Sequence, residues 1–438
     1  MEGESAEASS RSWVVDMERF LEQTDPSTEM VRWTKASIYR VPERIKNLTN
    51  RDAYRPLLVS LGPFHHGDPA LLPMEEHKRR ALLHLVKRAR RPLGEFVAAV
   101  EEVVDQLLDT YDNLDERWRG VDRHRFVEVM LTDGCFLLEM MRTREHVLKG
   151  EELDDYAPND PVFSIHGFYF LRPEIQSDMI LMENQLPLLV LQRISVVQRG
   201  ISSPSANDIN EMVLHFLDCL LLDEDNDELG LHPLDLFHKS FRDLQPVLSR
   251  LDKVAEVTVP SAVELSEAGV HFKKSSAKSV CDIEFENGVL RMPLIRVYDE
   301  TEKIYLNIMA FERLYMYAGN DVTDYLIFMD NMINSERDVA LLRSKGLIKS
   351  GLGSDNDVVQ LFNSLSKGAV MSPFCKLLDV QKKMNDHCRK PFNKWQATFK
   401  HTYLSNPWVF ISLVAAVVLL VATLMQTIYT VVPFYTKK

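Results

Sequence analysis

Cysteine is scarce in this 438-residue chain: Cys135, Cys219, Cys281, Cys375 and Cys388, five in all and widely scattered. An odd count with no Cys-x-x-Cys argues against a disulfide framework or a cysteine zinc site and points to reduced thiols. The glycine signatures of common enzymes are missing too. There is no Gly-x-Ser-x-Gly, no phosphate-binding Gly-x-x-x-x-Gly-Lys and no dinucleotide Gly-x-Gly-x-x-Gly. Basic residues are outnumbered, 51 Lys and Arg against 64 Asp and Glu, for a formal net charge of −13. Binding to nucleic acid needs a basic face, so no nucleic-acid partner is expected. The acidic start, Met1-Glu-Gly-Glu-Ser-Ala-Glu, has no apolar run and predicts no secretory signal peptide.

Charge is absent over one stretch. No Asp, Glu, Lys or Arg lies between His401 and Lys437, and Trp408 to Val432 is almost wholly apolar. As a helix it would extend ~37 Å, enough to cross a hydrocarbon layer ~30 Å thick. Eleven Val, Leu, Ile or Phe between Val409 and Met425 favour insertion by roughly 3–7 kcal/mol in total. Trp408, Phe410, Leu413, Val417, Leu420, Leu424 and Tyr429 are the expected lipid-facing and interfacial positions of a transmembrane anchor over 405–432, with 433–438 a short tail. Arg389, Lys390, Lys394 and Lys400 precede it and only Lys437 and Lys438 follow. The charge rule therefore expects the long N-terminal part in the cytosol of a single-pass protein; the expected location is the plasma membrane. The lipid bilayer is then one partner and an unidentified protein the other. Ala415, Ala416 and Ala422 would allow close helix approach, but no Gly-x-x-x-Gly specifies self-assembly, and the oligomeric state stays open.

Between a polar extension (1–30, with a short helix over Trp13–Gln23) and the anchor, residues 31–404 read as one helical domain. From Ile38 to Gly67 prolines and glycines forbid a long helix, and Leu57 to Leu61 is expected to cross the core extended. Phe96, Val100, Val103, Val104, Leu107, Leu108 and Tyr111 mark one apolar helix face. Phe126 to Met141 is apolar nearly all round and should be central. Ile175 to Val197 reads as a helix that Pro187 kinks or breaks. Helices are expected at Ile209–Leu222 and Leu234–Leu251, either side of an acidic linker Asp223–Glu228 that fails as a calcium loop for want of a glycine at position six and a glutamate at twelve. Strands are expected at Val270–Phe272, Val280–Phe285 and Val289–Val297, with a hairpin at Asn287-Gly288. Further helices follow at Thr301–Tyr317, Thr323–Ile333, Arg337–Lys345, Val358–Leu365 and Leu377–Tyr403. The expected fold is mainly α with a small antiparallel β element (α+β), plus one C-terminal transmembrane helix.

Three groups could carry chemistry. His65, His66, Glu75 and His77 form the best metal cluster, yet adjacent histidines in a loop rarely converge and Met74-Glu-Glu-His-Lys78 is not His-Glu-x-x-His. The bland reading has these imidazoles hydrogen-bonding loop carbonyls. Asp133-Gly134-Cys135 sets a thiol beside a carboxylate, with no base at useful spacing, so Gly134 is read as a close-packing position and Cys135 as a small buried hydrophobe. Glu183-Asn184-Gln185, before Pro187, suits a buried polar network that satisfies irregular backbone. No cofactor and no catalytic residue is assigned.

Several segments together resemble a plant family, domain of unknown function 247. They are Ile38-Tyr-Arg-Val-Pro42, Tyr54-Arg-Pro56, Val59-Ser-Leu-Gly-Pro-Phe-His-His-Gly67, Met74-Glu-Glu-His-Lys78, Met130-Leu-Thr-Asp-Gly-Cys-Phe136, Leu181-Met-Glu-Asn-Gln-Leu-Pro187, Glu264-Leu-Ser-Glu-Ala-Gly-Val270, Asn307-Ile-Met-Ala-Phe-Glu312 and Pro407-Trp408. Pro42, Gly62, Pro63, His65, His66, Glu75, His77, Lys78, Asp133, Gly134, Glu183, Asn184, Gln185 and Pro187 are the motif positions, read as structural. The resemblance implies a plant membrane protein without assigned catalytic residues, some grass relatives being linked to pollen self-incompatibility. The function expected is non-enzymatic recognition or signalling by protein binding. The alternative is a membrane-tethered enzyme using the His65/His66/His77 region.

Overall fold

The computed structural model describes residues 25–151, 153–200, 205–219, 228–241, 259–275, 279, 282–373, 375–390 and 407–436, with a few positions between 13 and 21. The chain divides into two units, Met1–Leu244 with Glu300–Asn320, and Gln245–Asp299 with Asp321–Lys438.

The first unit is built around the 27-residue helix Arg123–Lys149. Every residue from Val129 to Met141 is buried, as an all-round apolar helix requires. Leu72–Ala89, Leu93–Glu101, Ile165–Met179, Leu188–Arg199 and Ala206–Phe216 pack on it. At Gly134 even a methyl group would force its neighbours to shift. An added Cβ would lie 2.5 Å from Ile194 Cδ1 and 2.8 Å from Val190 Cγ1, so the missing side chain sets how closely Leu188–Arg199 approaches. The apolar face from Phe96 to Tyr111 is wholly buried. Two helices, Leu93–Glu101 and Val104–Asp109, carry most of it, with Val103 in the turn between them and Tyr111 just beyond the second.

The expected helix Ile175–Val197 is interrupted more deeply than a kink. Ile165–Met179 ends, Ile180 to Pro187 runs irregular and buried, and Leu188–Arg199 restarts with Pro187 at its N-cap. Thr301–Leu314 completes the unit and packs on the short 3-10 turn Arg51–Tyr54.

In the second unit, Ser261 and Glu264 form a reciprocal capping box at the start of Ala262–Glu267. Strands follow at β1 (His271–Lys274), β2 (Glu284–Glu286), β3 (Val289–Met292), β4 (Ile295–Val297) and β5 (Ile348–Ser350). β2 and β3 make the expected antiparallel hairpin, Asn287 and Gly288 both adopting positive φ (49° and 79°). The sheets are otherwise parallel: β1 beside β3, with His271 opposite Val289, and β4 beside β5, with Ile295 opposite Ile348. β5 has three residues and one apolar side chain, too little for alternation to reveal. Helices Asp321–Met332, Glu336–Ser344, Asp355–Leu365 and Lys376–Arg389 surround these strands in sequence.

Pro407–Thr436 forms one 30-residue helix. From Phe410 to Ile428 it is long and apolar enough to cross a membrane. Its described side chains, Phe410, Val417, Leu420 and Leu424 among them, are exposed, and Leu413 is half-buried. Most of the expected helix Trp13–Gln23, the Asp223–Asp227 run, the stretches 242–251 and 391–403, Cys281 and the Tyr429 side chain lie outside the described residues.

Candidate functional site

The motif residues of the first unit gather around one piece of chain, Leu57 to Gly62, which starts at an exposed Leu57, bends at Leu57, Leu58 and Gly62, and buries Val59 and Leu61 fully. Buried backbone without a neighbouring strand must find other partners. Side chains from distant elements supply them. Asp178, ending Ile165–Met179, accepts from the N–H groups of Leu57 (3.0 Å), Leu58 (2.8 Å) and Val59 (3.0 Å). Asn184 behaves like the missing strand: its Oδ1 accepts from Leu61 N at 2.7 Å while its Nδ2 donates to Val59 O at 3.0 Å. Asp133 accepts from Gly62 N at 2.8 Å, and Lys78 donates to Ser60 O at 2.8 Å. Gly62 sits at φ +71°, and a Cβ there would meet Gln185 O at 2.6 Å and Tyr111 Oη at 2.7 Å.

The irregular run Ile180–Pro187 is served the same way. Gln185 donates to Met179 O (2.6 Å) and Leu181 O (2.7 Å) and accepts from Leu234 N (2.9 Å). Glu183 accepts from Val41 N at 2.6 Å, one residue before Pro42, and pairs with Lys46 at 2.7 Å. Asn307 accepts from Met182 N and donates to Ala53 O and Lys303 O. Lys303 in turn reaches Asp178 at 3.2 Å. Asn184 and Gln185 are thus bonded to backbone through both side-chain polar atoms, and Glu183 through Oε1, its Oε2 facing His65 at 3.7 Å.

Lys78 is fully buried between two carboxylates, Glu75 at 2.6 Å and Asp133 at 2.5 Å. Burial raises the Asp133 carboxyl to about 6, with Lys78 pulling the other way. Cys135 is fully buried, and burial, with Glu139 adding to it, lifts its thiol well above the ordinary range, the reverse of nucleophile activation.

The histidines do not converge. His65 faces Glu183 (Nε2 to Oε2 3.7 Å), and burial, aided by Arg40 and Lys46, lowers it from 6.5 to about 4. His66 lies edge-on to Trp118 with Nε2 3.4 Å from Arg125. His77 contacts Arg80 through Nδ1 at 2.9 Å. Neither His66 nor His77 bonds a loop carbonyl, and the buried Nε2 of His65 and Nδ1 of His66 have no hydrogen-bond partner. Both these rings and that of His77 are held below their ordinary pKa, chiefly by burial. Among the described residues no three His, Cys, Asp or Glu side chains stand close enough to hold a metal ion. His66 and Glu75 instead line an open cleft of about 550 Å³ with Arg79, His124, Arg125 and Glu128.

Sequence reasoning missed Asp178, Lys303 and Asn307 as members of this network, and His232. Buried His232 receives Asp235 N at Nδ1 (3.2 Å) and donates from Nε2 to Ser37 O (3.1 Å). Those two bonds require the neutral Nε2–H tautomer, and burial lowers the ring from 6.5 to about 4. A polar residue directly before a proline-led helix was the available signal.

The pattern of a plant protein family of unknown function, DUF247, matches residues 38–422. The chain belongs to that family. A UPF0481 protein of Arabidopsis thaliana is 30% identical, covering 92% of this chain and 87% of its own length. A putative UPF0481 protein of the same plant is 23% identical over 94% and 93%. No solved structure matches. The DUF247 match takes in the side-chain network around Leu57–Gly62 and about half of the apolar C-terminal helix.

Proposed function

We propose that this DUF247 protein is a membrane-anchored, non-enzymatic recognition protein that acts by binding other proteins, as a pollen self-incompatibility determinant or in a related signalling role. The observation that carries the reading is the use made of the motif side chains. Asp133, Asn184 and Gln185, and with them Glu183 and Lys78, are bonded to backbone or to one another, so the residues best suited to catalysis serve the fold. The apolar span Phe410–Ile428 supplies the anchor, and the basic flank Arg389, Lys390, Lys394 and Lys400 supports a cytosolic body, with the plasma membrane the proposed location.

Proximity labelling with the intact chain in pollen and leaf tests the binding role, with a chain lacking 405–438 as control. Recurrent labelled proteins that the control does not label support it, whereas equal membrane partitioning of the control removes the anchor from the reading. Asn47, exposed at the end of the helix Glu43–Leu48 and followed by Leu48-Thr49, reports orientation. Glycosylation at Asn47 in plant cells contradicts a cytosolic body. The cleft at His66 and Glu75 favours the alternative of a tethered enzyme, and stoichiometric zinc or iron in the purified chain would support that alternative instead.

A further inference from the structure

The first unit holds a second charged group that none of the motif positions touches. Arg144, near the end of Arg123–Lys149, and Arg172, in Ile165–Met179, both grip the carboxylate of Asp218. Arg144 Nη2 lies 3.1 Å from Oδ1, and Arg172 Nη2 bonds Oδ2. Gln176 adds a contact to the same Oδ2 at 3.3 Å. Two guanidinium groups against one carboxylate leave an excess positive charge. They also leave unused donors: Nε of Arg144 and Nε of Arg172 are both buried without an acceptor. The arginines are largely covered, at 18% and 21% side-chain exposure, while Asp218 is 56% exposed and is the part that solvent reaches.

Asp218 stands where a glycine would be expected. It follows the helix Ala206–Phe216 at φ +56°. Cys219 N donates to Leu214 O (2.8 Å) and Asp218 N to His215 O (3.1 Å), the paired bonds of a Schellman turn. That position most often takes glycine, because other residues pay conformationally for the left-handed region. The backbone alone therefore does not call for aspartate here, and the carboxylate's contact with the arginines gives it a role.

A carboxylate offers two oxygens and one charge. A phosphate monoester offers three terminal oxygens and nearly two charges, which suits two forked donors with spare Nε–H groups. Leu148 and Tyr169 are exposed one helical turn from Arg144 and Arg172, on the same faces, and give an apolar rim for neighbouring peptide side chains. We propose that Arg144 and Arg172 form a clamp for the phosphate of a phosphorylated serine or threonine in a partner protein, and that Asp218 occupies the clamp until that phosphate displaces it. The inference rests on the recognition role proposed above and names the chemistry of its partner.

The test uses the full chain in detergent micelles and a fluorescent peptide carrying phosphoserine between two leucines. Its unphosphorylated twin, inorganic phosphate and a water-soluble short-chain phosphatidic acid serve as comparators. D218G keeps the turn, since glycine favours that conformation, and removes the internal competitor. It should bind the phosphopeptide about tenfold more tightly than the wild type. R144Q and R172Q, each made in the D218G background, should lose at least about tenfold. Equal binding by wild type and D218G, retained binding in both arginine variants, or equal binding of the unphosphorylated twin overturns the clamp. Phosphatidic acid or inorganic phosphate binding as tightly as the phosphopeptide overturns the peptide partner. Proximity labelling that is unchanged by R172Q would sink the clamp while leaving the wider recognition role standing.

Discussion

Replacing Asp178 by asparagine removes one charge from the centre of the side-chain network at nearly constant volume. The carboxylate holds three consecutive N–H groups, Leu57, Leu58 and Val59, and the buried ammonium of Lys303. Asparagine keeps one acceptor oxygen, which at the Oδ2 position still reaches all three amides, and turns an NH₂ group toward the Lys303 ammonium. Stranding the Lys303 charge costs about 3–5 kcal/mol, a large share of the stability of an ordinary domain. At about 2 °C per kcal/mol for a unit of this size, D178N should lower the melting temperature by about 6–10 °C. Thermal unfolding of the full chain in detergent, followed by far-UV circular dichroism, reads the shift. The second arm is D178N/K303M, which removes the stranded charge and should recover most of the loss. K303M alone should cost less than D178N, because the three amides still hold the carboxylate. A D178N melt within about 2 °C of wild type, or no recovery in the double variant, refutes the assignment of the network as the support of this segment.

Other outcomes follow from the same geometry. G134A forces a Cβ against Ile194 and Val190 and should destabilise by about 1–3 kcal/mol through overpacking, read by the same melts. His65 and His232 are each lowered from 6.5 to about 4, so their contribution is full above pH 6.5 and is lost as pH falls toward 4. That loss is on the order of 3 kcal/mol for each ring. Asp133, raised to about 6, acts in the opposite sense, its contribution being lost as pH rises from about 4 through 6. H232N keeps a capping acceptor without a titrating ring, and the difference between its melting temperature and that of wild type should shrink between pH 6.5 and 4.5. Cys135 should resist iodoacetamide in the native chain and react only after denaturation, as peptide mass spectrometry can follow.

Periodicity made the helices legible. The run Phe126–Met141 declares a central helix by having no polar face, and Asn287-Gly288 announces a hairpin through its demand for positive φ. Pro187 marked a break, but not its length: the eight residues from Ile180 stay irregular with Asn184, Gln185 and Asn307 taking over the hydrogen bonding. The Asn307 bond joins positions 125 residues apart, which no local pattern encodes. β5 was invisible for a different reason, since Ile348-Lys349-Ser350 gains its strand character only from pairing with β4. The metal cluster at His65, His66, Glu75 and His77 reads as contiguous along the chain, yet the turn Asp68–Leu71 and the helix Leu72–Ala89 direct its rings to three different surroundings.

Leu57 to Gly62 leaves the ribosome long before its partners do. Asp178 trails Val59 by 119 positions and Asn307 trails Ala53 by 254. At a translation rate of about 5–20 residues per second, the first gap alone lasts roughly 6–24 s. Through that interval an apolar stretch with unmet amides is open to other nascent chains, and a factor that shields it during synthesis should raise the yield of folded protein far more than one acting after release.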